Sequence, residues 1–200
     1  MMIRGVTAGR PPLNDVLVVD IGGGSTELVL AAHNEVAFAT SLDVGCVRIT
    51  ERFLSSDPPS RPPLAAAGAY VRSLLPPLEA GSAIGVAGTV TTLATLDLGD
   101  AEYDPTRTHG HRLSLASVET QLERLAAMTT DERVATHGIE PGRASVIVAG
   151  IVVLREVLTA YGLAEIEVSE RDVLHGAAFA AAELPESEEG AAPPGAYTCC

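Results

Sequence analysis

Three consecutive glycines, at positions 22–24, separate two apolar runs near the start of this 200-residue chain. Val18 and Val19 precede the glycines, and the second apolar run begins at Leu28. Aliphatic residues on both sides of a tight glycine turn predict two adjacent strands. Because glycine has no Cβ to block a close approach or forbid a positive φ, successive N–H groups in such a turn can line one concavity. The sequence therefore predicts a strand–turn–strand unit that can bind an anion.

Two carboxylates and two hydroxyls flank this turn. Asp20 stands before the glycines, and Glu27 follows the two hydroxyl residues. Two acids beside a phosphate would repel it unless a hard cation lay between them, and Mg²⁺ takes oxygen ligands of this kind. We therefore predict that Asp20 and Glu27 hold a metal ion, and that the phosphate contacts Gly22, Gly23, Gly24, Ser25 and Thr26. A plain hairpin turn with solvated acids is the alternative interpretation.

Apolar periodicity and breaker residues predict an α/β domain. Strands are expected at 16–21, 27–31, 35–41, 82–87 and 165–169. Helices are expected at 44–53, 64–75, 114–128, 143–161 and 172–184. A further helix of about eight residues is expected to follow the turn at 88–92, and a capped turn is expected near 130. A three-stranded meander followed by βαβ units predicts a mixed five-stranded sheet with helices on both faces. Right-handed crossovers would bring Asp20, Gly88 and Asp172 together at the strand ends, where ligands bind in α/β folds.

A second candidate turn follows the predicted fourth strand. Its sequence, Gly88-Thr89-Val90-Thr91-Thr92, fits a strand-to-helix connection with N-capping threonines. The start of that helix also offers free N–H groups to an anion. Both interpretations can hold at once.

Two arginines near these turns have open roles. Arg48 could reach a phosphate or pair with Asp43 or Glu51. Arg143 stands at the start of a predicted helix, where a positive charge is unfavourable for stability alone, so it could pair with an acid or bind phosphate.

Composition excludes several classes of protein. The net charge of −13 argues against nucleic acid as a partner, because phosphate contacts to a duplex need many Lys and Arg side chains. The most apolar helical segment, 144–154, is too short to span a bilayer, so no membrane association is predicted. Three cysteines form no disulfide framework and the first ten residues have no apolar signal region, which predicts a cytoplasmic location.

Eight short motifs lie along residues 15–180: DIGGGSTE at 20–27, SLDVG at 41–45, VR at 47–48, TER at 50–52, VAGTVTT at 86–92, YDP at 103–105, HG at 109–110 and GR at 142–143. Together and in this order they resemble the exopolyphosphatase/guanosine pentaphosphate phosphohydrolase family. The resemblance implies the ribonuclease-H-like fold of the actin-like ATPase superfamily, in which two such domains clamp a phosphate chain.

The resemblance also implies roles for individual residues. Asp20 and Glu27 would be the catalytic acids around Mg²⁺ and the attacking water, with the terminal phosphates held by the glycine turn. The second phosphate turn would be formed by Gly88, Thr89, Thr91 and Thr92. The implied reaction is phosphoanhydride hydrolysis, either release of terminal phosphate from inorganic polyphosphate or conversion of guanosine pentaphosphate to tetraphosphate.

The chain resembles only the second domain of this family. Members begin with a further domain that carries its own phosphate turn, Asp-x-Gly-(Thr/Ser)-Asn-Ser, and a glutamate general base, and neither occurs here. We expect a disordered lead-in at 1–14, the second domain at 15–184 and a disordered tail at 185–200. Alone, such a chain would bind and hydrolyse weakly, and the alternative is a non-catalytic phosphate-binding, nucleotide-binding or interaction module. An exposed interdomain surface predicts self-association or pairing with a first domain.

Overall fold

A mixed six-stranded sheet is the framework of the computed structural model, which describes residues 14–33 and 35–171. Its strands are β1 (Asn14–Ile21), β2 (Thr26–Ala32), β3 (Glu35–Leu42), β4 (Ser82–Val86), β5 (Arg112–Ser114) and β6 (Glu165–Val168). The helices are α1 (Cys46–Phe53), α2 (Arg61–Leu74), α3 (Gly88–Leu98), α4 (Pro105–Thr108), α5 (Leu115–Ala126), α6 (Thr130–Val134) and α7 (Ile147–Ala160), with a 3₁₀ turn at Pro141–Arg143.

The strand order β3-β2-β1-β4-β6-β5 brings three strand ends to one edge. β1, β4 and β6 are mutually parallel, whereas β2, β3 and β5 run antiparallel to their neighbours. The register places Asp20 beside Val86, and Gly85 beside Val168. The prediction that these strand ends meet is therefore confirmed, except for Asp172, which lies outside the described residues.

The predicted number of strands, five, is wrong, because β5 is a sixth. β5 has only three residues, of which Leu113 alone is buried, and this is too short for an alternating pattern to indicate a strand. Its pairing with β6 is a long-range contact that local pattern cannot show. Asn14, assigned to the lead-in, is the first residue of β1.

Two of the predicted helix starts differ by three residues or more. The helix expected at 143–161 is divided into the 3₁₀ turn at Pro141–Arg143 and α7, which starts at Ile147. α2 starts at Arg61, with Pro62 and Pro63 in its first turn, where proline costs no hydrogen bond. It ends at Leu74, before the Pro76–Pro77 pair.

The main hydrophobic core lies between one face of the sheet and the helices. Leu17, Val19 and Ile21 of β1 point into it, and α7 runs through its centre with buried residues on every side. The opposite face carries a smaller cluster that includes Val18, Val29 and Val86. No described helix contributes to this second cluster. The helix predicted at 172–184, the tail at 185–200 and the lead-in before Asn14 lie outside the described residues.

A hydrogen-bonded ion pair ties the proline-rich connection before α2 to the start of α6. Asp57 accepts hydrogen bonds from the Thr130 backbone N–H at 3.0 and 2.8 Å and from the buried Arg133 guanidinium at 3.1 Å. The Thr130 N–H is the main reason that the pKa of Asp57 is held below its ordinary value, and the charge of Arg133 adds to this effect. The folded state therefore stabilises the ionised form of Asp57 relative to the protonated form.

Replacing Asp57 by asparagine is expected to lower the free energy of unfolding by about 1 kcal/mol at neutral pH, since the carboxylate is half exposed and partly screened. A lowered folded-state pKa gives stability that is present above the unfolded pKa of about 3.9 and is lost as the pH falls through the folded value. Urea unfolding of both proteins from pH 7 to pH 3 should thus show a difference that shrinks below about pH 4. Glu119→Gln on the exposed face of α5 is the control, and a difference for Asp57→Asn that is constant across this range would contradict the prediction.

Candidate active site

The carbonyl groups of the glycine turn cap the N-terminus of α1. Gly22 accepts a hydrogen bond from the Cys46 N–H at 2.9 Å, and Gly23 accepts from the next two amides of α1 at 2.9 and 3.2 Å. The carbonyl of Gly24 accepts from Nε of Arg48 at 3.0 Å. Three successive carbonyls of the turn are thereby directed toward α1 and its arginine.

The amides of the turn must then face the opposite way. In a planar trans peptide the N–H points away from the C=O, so the N–H groups of Gly23, Gly24 and Ser25 point away from α1. No described residue accepts a hydrogen bond from any of the three. Three donors that point the same way, with no acceptor among residues 14–33 and 35–171, form a nest that suits a phosphate oxygen.

The glycines serve close approach rather than a left-handed backbone. None of the three has a positive φ, contrary to one reason given above for their presence. A Cβ on Gly23 would lie 3.3 Å from Cγ2 of Val47, and one on Gly45 would lie 2.5 Å from the carbonyl oxygen of Gly23. The turn and the start of α1 can contact each other this closely because Gly23 and Gly45 have no side chains.

The two predicted metal ligands lie opposite each other on β1 and β2. Asp20 and Glu27 are direct cross-strand partners, so their side chains project from the same face of the sheet. Oε1 of Glu27 accepts hydrogen bonds from Ser25 at 2.7 Å and Ser41 at 2.8 Å, which fixes its orientation. Like charges in such a pair are destabilising, and a divalent cation between them would remove the repulsion. The donor set, two carboxylates beside a phosphate site, suits Mg²⁺.

Thr26 and Ser25 are placed differently from each other. The Thr26 side chain is fully buried and donates its hydroxyl hydrogen to the Val44 carbonyl at 2.6 Å. Thr26 pairs with Ile21, whose side chain lies in the main core, so it occupies the helix-covered face. The Ser25 hydroxyl contacts Glu27 at the turn, whereas the Thr26 hydroxyl contacts the segment between β3 and α1. The phosphate role predicted for Thr26 stays a prediction.

The second predicted turn begins with a strained residue. Ala87, between β4 and α3, has φ 66° and ψ 177°, a conformation that L-residues rarely adopt. α3 has no side-chain N-cap, and no described residue accepts a hydrogen bond from the N–H of Gly88, Thr89 or Val90. Because Asp20 and Val86 are neighbours in parallel strands, these amides lie next to the glycine turn.

Arg143 lies flat against Gly88. A Cβ on Gly88 would be 1.8 Å from Cζ of Arg143 and 1.9 and 2.0 Å from its terminal nitrogens. Nε donates to Glu140 at 3.2 Å, and no described residue accepts from the two terminal nitrogens. Burial raises the pKa of the Cys46 thiol, while the Val47 N–H and the charge of Arg143 act in the opposite direction. The guanidinium therefore lies near both turns, at the start of α3 and at the start of α1.

The threonines of the second turn divide between two environments. Thr89 is buried against α7, where a Cβ on Gly150 would lie 2.5 Å from its Oγ1. Thr91 and Thr92 line a cavity of about 480 Å³ beside Gly88. The hydroxyl of Thr89 thus packs between helices, and its backbone N–H is the part of this residue that faces the helix start.

The far side of this cavity is acidic. The Glu170 carboxylate accepts hydrogen bonds from the hydroxyls of Tyr103 and Thr108, and its backbone N–H donates to Nδ1 of His109 at 3.3 Å. Burial and the neighbouring Glu170 carboxylate raise the pKa of Tyr103 well above its ordinary value. These contacts connect the YDP and HG motifs to the end of β6, a link that no local sequence pattern shows.

The remaining arginine and cavity lie outside this arrangement. Arg48 pairs with Asp43 at 3.4 Å, which is the ion-pair alternative given for it, and donates a hydrogen bond to the Gly24 carbonyl. A larger cavity of about 690 Å³, lined by Gly81 and Leu163, lies at the opposite end of the sheet and contains no predicted site residue. In residues 14–33 and 35–171 there is no cluster of three or more His, Cys, Asp or Glu side chains that could hold a metal ion. Across the same residues no helix is long and apolar enough to cross a membrane.

A mixed sheet with two glycine-containing turns at the ends of the parallel strands β1 and β4 matches the actin-like fold. The Ppx/GppA phosphatase family model matches residues 1–183. The chain therefore belongs to the Ppx/GppA phosphatase family.

Individual relatives agree with this family. Exopolyphosphatase 2 of Mycobacterium tuberculosis is 41% identical over 187 residues, which cover 88% of this chain and 57% of the relative. A guanosine-5'-triphosphate,3'-diphosphate pyrophosphatase of Aeromonas salmonicida is 26% identical over 145 residues, covering 69% of this chain and 28% of that protein. The crystal structure of the Aquifex aeolicus Ppx/GppA phosphatase, type II variant, has a TM-score of 0.81 and 29% identity, covering 92% of this chain and 62% of that one. The chain thus spans less than two thirds of the length of each of these proteins.

Proposed function

We propose that this chain carries one wall of the active site of a Mg²⁺-dependent phosphoanhydride hydrolase. The substrate would be inorganic polyphosphate or guanosine pentaphosphate, and the product would be the released terminal phosphate. The pair of turns supports this most directly. Together they have six N–H groups from which no described residue accepts a hydrogen bond, and the Arg143 guanidinium lies beside them. The names of the relatives, exopolyphosphatase and guanosine pyrophosphatase, agree with both substrates.

The turns would bind and orient the terminal phosphates. N–H groups of Gly23, Gly24 and Ser25 would contact one phosphate, and those at the start of α3 a neighbouring one. Arg143 would compensate the charge that spreads over the equatorial oxygens during transfer. This positioning, by groups already fixed in the folded chain, is what lowers the barrier to in-line attack.

Asp20 and Glu27 would hold Mg²⁺ and orient the attacking water. When bound, Mg²⁺ neutralises phosphate charge and polarises the bond that breaks. Oε1 of Glu27 accepts hydrogen bonds from two serine hydroxyls, and Oε2 accepts none from a described residue, so Oε2 would be the atom that contacts the ion or the water.

A complete site needs a second wall, which we propose is a domain of the kind implied by the family resemblance. That domain would supply the general base and the opposing phosphate turn, and it would cover Val47, which is 40% exposed beside Gly23. A chain without this wall would associate with itself or with such a domain. A cytoplasmic location remains part of this proposal.

The second candidate function is phosphate or nucleotide binding without hydrolysis. The coverage of relatives favours it for the isolated chain, because the matched region of Exopolyphosphatase 2 is 57% of that protein. Near-attack geometry depends on contacts from both walls, whereas binding to the turns needs only one.

Calorimetric titration with tripolyphosphate and with guanosine pentaphosphate, with and without Mg²⁺, tests the proposal. Phosphate release is measured in parallel for the chain alone and for the chain co-expressed with the part of Exopolyphosphatase 2 outside the matched region. We expect Mg²⁺-dependent binding in both samples and release only in the second. Binding by both without release would support the binding module, and no Mg²⁺-dependent binding in either would contradict both functions.

A further inference from the structure

A groove between α2 and α5, on the helical layer, has an apolar floor and a basic rim. We call it the α2–α5 groove. It has a volume of about 610 Å³ and contains none of the candidate active-site residues. Its floor is formed by Leu64, Ala65, Leu122 and Ala126, and its rim carries Arg61, Arg72 and Arg155.

The charge of this rim is opposite to that of the protein. The chain has a net charge of −13, and all thirteen of its basic residues are arginines. Three of them surround one groove, where Glu123 is the lining acid and Glu156 lies beneath. Three arginines against two glutamates leave the groove with one positive charge in excess.

Two of the three arginines are fixed in place by a buried carboxylate. Glu156 is 1% exposed and accepts hydrogen bonds from both Arg72 and Arg155. α2 approaches this carboxylate closely, because a Cβ on Gly68 would lie 2.6 Å from Oε1 of Glu156. Arg61 has no ion-pair or hydrogen-bond partner among the described residues. The rim therefore presents two oriented guanidinium groups and one available for a ligand.

The spacing of the arginines matches three turns of helix. Arg61 and Arg72 are eleven positions apart on α2, so they lie on one face and about 16 Å apart. Leu64 and Ala65 lie between them on the same face. A ligand that fits must carry carboxylates at both ends and an apolar stripe between them. An inorganic polyanion has no apolar surface and would leave the floor uncovered.

We propose that the α2–α5 groove binds an acidic amphipathic helix of a partner protein. The helix would place its apolar stripe on Leu64, Ala65 and Leu122 and its terminal carboxylates on Arg61 and Arg72. Electrostatic attraction would orient this partner on a protein that otherwise repels acidic segments. This inference uses no active-site residue and does not depend on the proposed hydrolase function.

A fluorescein-labelled helical peptide of about 16 residues tests this inference by anisotropy. It carries two glutamates eleven positions apart, leucines on the stripe between them, and Ala and Gln elsewhere. We expect a Kd below about 0.1 mM at low salt that rises with ionic strength. The same peptide with Gln in place of both Glu is expected to bind at least about 10-fold more weakly.

Two pairs of variants locate the binding. Arg61→Glu is expected to weaken binding at least about 10-fold, whereas Arg124→Glu, the same change on α5 outside the groove, changes it less than about 2-fold. A glutamate in the first turn of α2 favours the helix, so Arg61→Glu should fold. Ala65→Glu should abolish binding and the adjacent, exposed Ala66→Glu should not.

Three results would overturn the inference. The first is no saturable binding up to about 1 mM peptide. The second is equal binding by the Glu and Gln peptides or by the two alanine variants. The third is displacement of the peptide by long-chain polyphosphate, which would make the groove a site for an inorganic polyanion.

Discussion

Replacing Asp20 by asparagine is expected to lower Mg²⁺-dependent phosphate release from the completed site by about 10²–10⁴-fold. Asparagine keeps the size of the side chain but removes the charge that a divalent cation needs. Asp20 is the direct cross-strand partner of Glu27, so its loss also removes the repulsion between two like charges.

Asp15→Asn is the matched control for this variant. Asp15 lies on the same strand, at the end of β1 away from the glycine turn. Its replacement by asparagine is the same chemical change. Release by Asp15→Asn should equal that of the wild type, and its calorimetric titration with Mg²⁺ and tripolyphosphate should be unchanged. Asp20→Asn with full Mg²⁺-dependent release would remove the metal site from the proposal. A large loss of stability in Asp20→Asn would instead indicate a structural role for this carboxylate.

The parts of the site that lie close in sequence could be predicted from the sequence. The strand–turn–strand unit at 14–32 is a local hairpin, so its apolar runs and glycines are enough to indicate it. The parallel arrangement of β1, β4 and β6 followed from the right-handed crossover rule. Side chains alternate along a strand, so the sequence also predicts that the side chains of Thr26 and Glu27 lie on opposite faces of the sheet.

The parts that depend on long-range contacts could not be predicted. The position of Arg143 over Gly88 joins residues 55 positions apart through the packing of α3 and the 3₁₀ turn. The capping of α1 by the glycine carbonyls depends on tertiary approach, because Gly45 has no sequence relation to Gly22 and Gly23. β5 forms by pairing with the edge of β6, and the three residues of β5 are too few to predict a strand. Each of these features depends on which surfaces pack together, and hydrophobic periodicity predicts only local secondary structure.

Replacing Gly88 by alanine is expected to weaken Mg²⁺–tripolyphosphate binding by about 10–10²-fold with little change in stability. The new methyl group would occupy the position of the Arg143 guanidinium, 1.8 Å from Cζ. The displaced group is the end of a flexible side chain, 41% exposed, so it can swing into solvent and leave the fold intact. Its contact with Glu140 and its place beside the amides of α3 would be lost together.

Gly142→Ala is the matched control, because a Cβ on Gly142 has no atom within 4 Å. It should bind as the wild type does. Arg143→Gln should reproduce the loss seen in Gly88→Ala, and the double variant should bind no more weakly than either single variant, since both changes remove one guanidinium. If the double variant instead loses a further 10-fold or so, the methyl group obstructs the phosphate directly, and Gly88 serves the approach of the ligand rather than the placement of Arg143.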